Sequence, residues 1–297
     1  MPWLELQLQV SEQLAESIGE LLSELGALSV SFHDAGDQPL YEPAPDTQPL
    51  WQQTKVHGLF TIETNLNEIV KKLQSHLGSI NNLPYQIIHI EDKDWQKEYQ
   101  NNTKAICITN RLWICPSWDT ITITDENNPA IVHLDPGLAF GTGSHATTRL
   151  CLEWLAKRSA RSSLVVDYGC GSGILAIAAL KLGAQKVYAV DNDEQALQAT
   201  HINALRNDLS NDLLITVLPE NLPNMQADLL IANILALPLI ELSPKFASLL
   251  KPGGEIVLSG ILREQHEMII SAYKDNFDLR ECIELDGWLC LSGNKTS

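Results

Sequence analysis

The first 104 residues contain no arginine, and the whole chain of 297 residues has 20 lysines and arginines against 37 acids. A formal net charge of −17 leaves little with which to hold phosphates, so direct gripping of nucleic acid is not expected. Long hydrophobic runs are missing too. None approaches the roughly 18 residues of a membrane span, and the opening "MPWLELQLQV" lacks the basic n-region of a secretion signal. A cytoplasmic protein without membrane contact is expected. The cysteines, Cys107, Cys115, Cys151, Cys170, Cys282 and Cys290, form no CxxC pair, and none stands beside a histidine at ligand spacing. That pattern predicts no metal site, with the thiols acting as small buried hydrophobes in a reducing compartment.

What is present is ordinary globular material: 44% hydrophobic and 19% charged residues, in a length that suggests two domains. Charge is spread unevenly. Residues 1–104 hold 15 acids against 6 lysines, and residues 105–297 hold 22 acids against 14 bases, so the first third is the more acidic per residue. Solubility accounts for this, and so does a docking surface for a basic protein. No apolar surface stripe stands out, and a monomer is expected.

Periodicity divides the chain. "WLELQLQV" (3–10) alternates as a half-buried strand. A helix over 12–25 follows, with Ser11 as its cap and Gly26 at its end. Strands at 27–34 and 55–64, a helix at 65–77 and a strand at 85–92 complete the order β-α-β-β-α-β, that of a ferredoxin-like α+β domain. Residues 94–104 read as a helical interdomain linker. Two strand-like pieces, "RLWICPSW" and "TITIT", occupy 105–133. From a helix at 145–159 onward, continuous apolar strands alternate with helices, which means a parallel sheet covered on both faces. Two adjacent strands at the end, 277–284 and 287–292, turn it into a mixed sheet. The expected boundaries are 1–93 for recognition, 94–104 for the linker and 105–297 for the α/β domain.

The chemistry concentrates in "VVDYGCGSGILA" (165–176), where a buried strand delivers Asp167, then Gly169, Gly171 and Gly173, then a helix. Glycines permit close backbone approach, and the helix N-terminus offers free N–H groups. A dinucleotide fingerprint needs GxGxxG. Here Ile174 stands at its third glycine position, so the turn suits a ligand without phosphates. Asp191 ends the second strand of this unit, where an acid takes ribose hydroxyls, and Asp193 is the better helix cap. Asn233 ends the fourth strand, at the sheet edge where ligands of open α/β sheets bind; a turn-closing role is its plainer reading. A strand, a glycine turn, an acid and a polar residue in this order resemble the S-adenosylmethionine-dependent methyltransferase fold, a doubly wound, mixed seven-stranded sheet.

A more specific resemblance lies in "LDPGLAFGTGSHATT" (134–148), followed by "DYGCGSGILAIAALKLG" and "ANILA". With "MPW", "EDKDW" and "RLWICPSW", these stretches resemble the ribosomal protein L11 methyltransferase family nearly end to end. The resemblance implies S-adenosylmethionine as cofactor and a small recognition domain ahead of the catalytic one. It implies trimethylation of lysine side chains and of the N-terminal α-amine of that basic ribosomal protein. It also implies cofactor contacts at Thr148, Gly169, Asp191 and Asn233. Gly171 and Phe140 join the expected cofactor wall, although core packing suits Phe140 equally. Asn233 is the expected catalytic residue, orienting the amine. His145 is a possible proton acceptor or a helix cap, and Trp288 reads as core. Two other readings stand. A base-modifying methyltransferase should carry N/D-P-P-Y/F where this chain has "ANILALP"; a binding module without catalysis should not need the intact set of cofactor residues.

Overall fold

The structure, a computed structural model, describes residues 2–38, 40, 47–76, 83–91, 103–121, 129–135, 141, 143–158 and 163–296. The chain divides into two compact units, Met1–Glu98 and Tyr99–Ser297. Of the expected linker at 94–104, residues 94–102 lie outside the described residues. Among the described residues no helix is long and apolar enough to cross a membrane.

The first unit runs β1 (Trp3–Ser11), α1 (Glu12–Glu24), β2 (Ser29–Asp34), β3 (Gln53–Thr61), α2 (Leu66–His76) and β4 (Tyr85–Ile90). Its sheet has the order β2-β3-β1-β4, with every neighbouring pair antiparallel. Strict alternation in β1 sends Leu4, Leu6, Leu8 and Val10 to one face. There they meet Ala15, Ile18 and Leu22 of α1 and Ile69, Val70 and Leu73 of α2 in one core. This is the ferredoxin-like arrangement expected from the element order. Ser11 stands at the helix start in extended conformation, but its side chain makes no capping bond.

The second unit begins with a small sheet: β5 (Ile106–Thr109), β6 (Leu112–Cys115) and β7 (Ala130–His133), with β5 antiparallel and β7 parallel to β6. The expected strand in "TITIT" falls mostly outside the described residues. Thr120 and Ile121 lie outside any strand, and 122–124 fall outside the described residues. Among the described residues β6 is flanked by β5 and β7, two four-residue strands too short for a period-two pattern to reveal them.

Then follow α3 (Ala146–Lys157), β8 (Leu164–Tyr168), α4 (Ile174–Lys181), β9 (Lys186–Val190), α5 (Glu194–Arg206), β10 (Leu214–Val217), β11 (Ala227–Asn233), α6 (Ala236–Leu249), β12 (Leu250–Leu262), a 3-10 turn, α7 (His266–Tyr273), β13 (Phe277–Leu285) and β14 (Trp288–Lys295). The seven-stranded sheet has the order β10-β9-β8-β11-β12-β14-β13. The first five strands are parallel, and β14 is antiparallel to both its neighbours. Two cores explain why its strands read as continuous apolar runs. In β11, Leu229 and Ile231 face the core shared with α3 and α4, while Leu230 and Ala232 face the one shared with α6 and α7. Four of the cysteines are buried as expected, but Cys107 and Cys282 are exposed. Both lie on short or edge-proximal strands where one face meets solvent.

The strand order reverses between β8 and β11, and Tyr168 pairs with Ala232 across that junction. The crevice beyond the carboxyl ends of such a pair is where open α/β sheets bind ligands. In the first unit, Leu6 is fully buried on a central strand, so Leu6→Ala should cost about 2–5 kcal/mol of stability. Urea unfolding followed by far-UV circular dichroism measures this. A loss under about 1 kcal/mol would contradict the packing described.

Candidate active site

Beyond β8 the chain turns through Gly169, Gly171 and Gly173, all at positive φ (81°, 53° and 77°). The N–H groups of Gly169 and Cys170 both donate to Val190 O, at 2.7 and 3.0 Å, which fixes the turn to the end of β9. From below, Thr200 Oγ1 donates to Gly171 O at 3.0 Å and Asn203 Nδ2 to Ser172 O at 2.9 Å. Gly169 is required for a second reason. A Cβ there would stand 2.2 Å from Ile234 Cγ2, on the segment just beyond Asn233.

Asp191 follows β9 and accepts two backbone bonds, from Gly171 N at 2.9 Å and from Asp193 N at 3.1 Å. Each carboxylate oxygen keeps a further lone pair for a ligand hydroxyl. Helix capping falls to Asp193, which accepts from Gln195 N at 2.8 Å.

The stretch 134–148 closes on this turn from the other side. Ser172 Oγ donates to Gly141 O at 2.7 Å, and Asn233 Nδ2 donates to the buried Thr148 Oγ1 at 3.3 Å. That bond uses one of the two amide N–H groups and orients the amide, with Oδ1 as its acceptor end. Phe140 lies outside the described residues, as do 136–139 and 142. His145 is the N-cap of α3. Its Nδ1 accepts from Thr147 N at 3.4 Å and lies 2.8 Å from Thr147 Oγ1. This is the helix-capping role expected of His145.

Thr148, Gly169, Gly171, Asp191 and Asn233 come together on the wall of a cavity of about 230 Å³. A larger cavity of about 660 Å³ shares Gly169, Asp191, Asn192, Asn233 and Ile234, and is also lined by His145, Tyr168, Leu235, Pro238, Glu241 and Trp288. Trp288 is therefore not core: it is half-buried on that wall, edge to face with His145 at 5.3 Å between ring centroids. The tryptophan starts β14, and its place beside β12 depends on the sheet order, which strand periodicity does not reveal. Gly260 was also hidden in the sequence. A Cβ on it would stand 2.2 Å from Ile234 O, so β12 passes against the backbone that carries Asn233.

Asp167 is the other buried group here. Its Oδ2 accepts from Ala176 N at 3.0 Å, while Oδ1 has no partner. Burial pushes its pKa up to about 7, opposed by the Ala176 bond and aided by the nearby Asp191 carboxylate.

Neither cavity has a lysine or arginine among its described lining residues, so nothing there neutralises a pyrophosphate. Asp191 and Glu241 instead favour a cationic ligand. A glycine turn that admits close backbone approach, an acid placed for ribose and a largely apolar hollow fit a nucleoside sulfonium. The protein is an S-adenosylmethionine-dependent methyltransferase. The family model described as Ribosomal protein L11 methyltransferase (PrmA) matches residues 2–296. A ribosomal protein L11 methyltransferase of Pseudomonas savastanoi pv. phaseolicola is 47% identical over 296 residues, covering 99% of this chain and 100% of its own. One from Photorhabdus laumondii subsp. laumondii is 45% identical over 295 residues, 99% of each. The crystal structure of a ribosomal protein L11 methylase from Lactobacillus delbrueckii subsp. bulgaricus matches with a TM-score of 0.60 and 33% identity, over 66% of this chain and all of that one. The chain belongs to the ribosomal protein L11 methyltransferase family.

Asp167 makes stability depend on pH. Unfolded, it ionises near its ordinary value of about 3.9; folded, it keeps its proton to about pH 7. Between those values the folded state binds more protons, so this group's contribution falls as pH rises from about 4 to 7 and is constant above. Asp167→Asn should gain stability relative to wild type between about pH 4 and pH 8, by up to roughly 4 kcal/mol. Urea unfolding of cofactor-free protein at both pH values measures this. An equal stability difference at the two would contradict the assignment.

Proposed function

We propose that this protein methylates amines of ribosomal protein L11, at lysine side chains and the N-terminal α-amine and up to the trimethyl stage, with Asn233 orienting the incoming amine. The observation that carries the reading is the polarity of the Asn233 amide. One of its two N–H groups donates to Thr148 and so orients the amide, and Oδ1 is the atom able to accept from an amine N–H at the carboxyl edge of β11.

When bound, S-adenosylmethionine supplies an electrophilic methyl on a positively charged sulfur, already a good leaving group. The remaining work belongs to the chain. Gly169 and Gly171 admit the cofactor against the backbone, Asp191 holds the ribose, and Thr148 ties the preceding loop to the sheet edge. Asn233 Oδ1 accepts an N–H and thereby aims the amine lone pair along the transfer line, where reacting atoms need to stand about 3–3.5 Å apart. Free lysine has a pKa near 10.4, so only about one molecule in two thousand is neutral at pH 7. A largely apolar wall and the neighbouring sulfonium charge both favour the neutral amine. Its proton leaves to water.

The first unit, with 15 acids against 6 lysines over residues 1–104, presents a potential complementary to a basic ribosomal protein. Such complementarity speeds encounter and aids discrimination. Residues 94–104 are the sequence between it and the catalytic unit. The protein acts as a cytoplasmic monomer, without a direct grip on nucleic acid.

Purified ribosomal proteins incubated with the enzyme and methyl-labelled S-adenosylmethionine test the reading by mass spectrometry. Label should enter L11 alone, and Asn233→Ala should lower the rate by about 100-fold, the scale of losing one positioning contact. Label in RNA or in another ribosomal protein would contradict the substrate assignment. Near-normal turnover by the variant would contradict the role of Asn233.

A further inference from the structure

Hydrogen bonding alone does not hold an amine through successive methylations. An unmethylated ammonium has three N–H donors, each methyl removes one, and a trimethylammonium has none. The grip of Asn233 Oδ1 therefore fades as the methyl count rises. In each round the amine lone pair forms the N–C bond while the C–S bond breaks, its electron pair passing to sulfur. The new ammonium then loses a proton to water before the next round, until the third methyl leaves none to lose. Demethylated cofactor has to leave and fresh cofactor has to enter in between, and an intermediate that stays at the site through that exchange needs a hold that does not weaken as N–H groups are lost. An aromatic ring attracts a cation through its quadrupole, whatever the number of N–H groups.

Trp288 supplies such a ring on the wall shared with Asn233, Ile234 and Leu235. It is the first residue of β14, set by a tight turn at Asp286 and Gly287 with φ of 51° and 79°. Its backbone registers against Leu262 of β12 and Leu285 of β13. Its ring meets His145 edge to face, and His145 is itself held by its capping bond to Thr147. Both residues of the contact start elements of regular structure, His145 capping α3 and Trp288 opening β14. The sequence reading placed this residue in the core, and no role in methyl transfer follows from the glycine turn or from Asn233.

We propose that Trp288 sets the degree of methylation, its indole holding the mono- and dimethylammonium intermediates beside Asn233 between rounds of transfer. This rests on the amine-methylating reading above. Trp288 is a positioning residue, with no part in making or breaking bonds.

The test compares wild type with Trp288→Phe and Trp288→Leu on recombinant L11, reading mono-, di- and trimethyl fractions at each modified amine by mass spectrometry. The comparison is made at matched incorporation of the first methyl, so a general loss of rate does not enter. Trp288→Phe should keep a mainly trimethyl product. Trp288→Leu should raise the ratio of intermediates to trimethyl product by roughly fivefold or more. Trp288→Met takes the place of the leucine variant if that one does not fold. A wild-type ratio in the aliphatic variant would overturn the proposal, as would equal shifts in the phenylalanine and aliphatic variants. A wild-type enzyme that adds a single methyl would overturn both the proposal and the trimethyl reading; retained trimethylation with no effect at Trp288 would overturn the proposal alone.

Discussion

The catalytic unit depends on how tightly Ile234 is packed at the end of β11, its side chain against Gly169 and its backbone against Gly260. Gly169 comes from the turn after β8 and Gly260 from β12, and a Cβ on either would lie 2.2 Å from an atom of Ile234. Ile234 is thus clamped between two glycines from two different strands. Asn233, one residue before it, inherits that fixed position and donates one amide N–H to Thr148 in the first turn of α3. The strand order makes the clamp possible, because β8 and β12 are the two neighbours of β11. Packing, topology and side-chain polarity therefore converge on one amide oxygen.

Electrostatics give the crevice its selectivity. Asp191 and Glu241 line it, and no lysine or arginine does so among the described residues. A phosphate-bearing dinucleotide finds no countercharge there, whereas a sulfonium and an incoming amine are both cationic or become so. The same shortage of bases runs through the first unit, which has no arginine in its share of the first 104 residues. One compositional bias thus suits a positively charged cofactor at one end of the reaction and a basic protein at the other.

Much of this was legible in the sequence because it rests on local rules. Alternation in "WLELQLQV" and the strand-turn-helix of "VVDYGCGSGILA" appear in the structure as β1 and as β8 to α4. Thr148, Gly169, Gly171, Asp191 and Asn233, drawn from four separate stretches, meet on one cavity wall. What was not legible depends on long-range neighbours. Gly260 reads as an ordinary glycine until β12 is placed beside Ile234. Trp288 reads as an apolar residue of a strand until the hairpin is placed beside β12. Asp167 reads as the end of a strand, and only its burial shows an oxygen left without a partner. Strands of four residues, such as β5 and β7, offer too few positions for a pattern.

The central claim is that the clamp acts on catalysis through Asn233. A double-mutant cycle on Gly260→Ala and Asn233→Ala, read as kcat/KM in variants that keep native near-UV circular dichroism, tests it most directly. A Cβ on Gly260 must displace the backbone of Ile234, so in the wild-type background the alanine should cost at least about tenfold, or 1.4 kcal/mol. In the Asn233→Ala background the account predicts almost no further loss, since the group being positioned is gone. Equal losses in both backgrounds would contradict it.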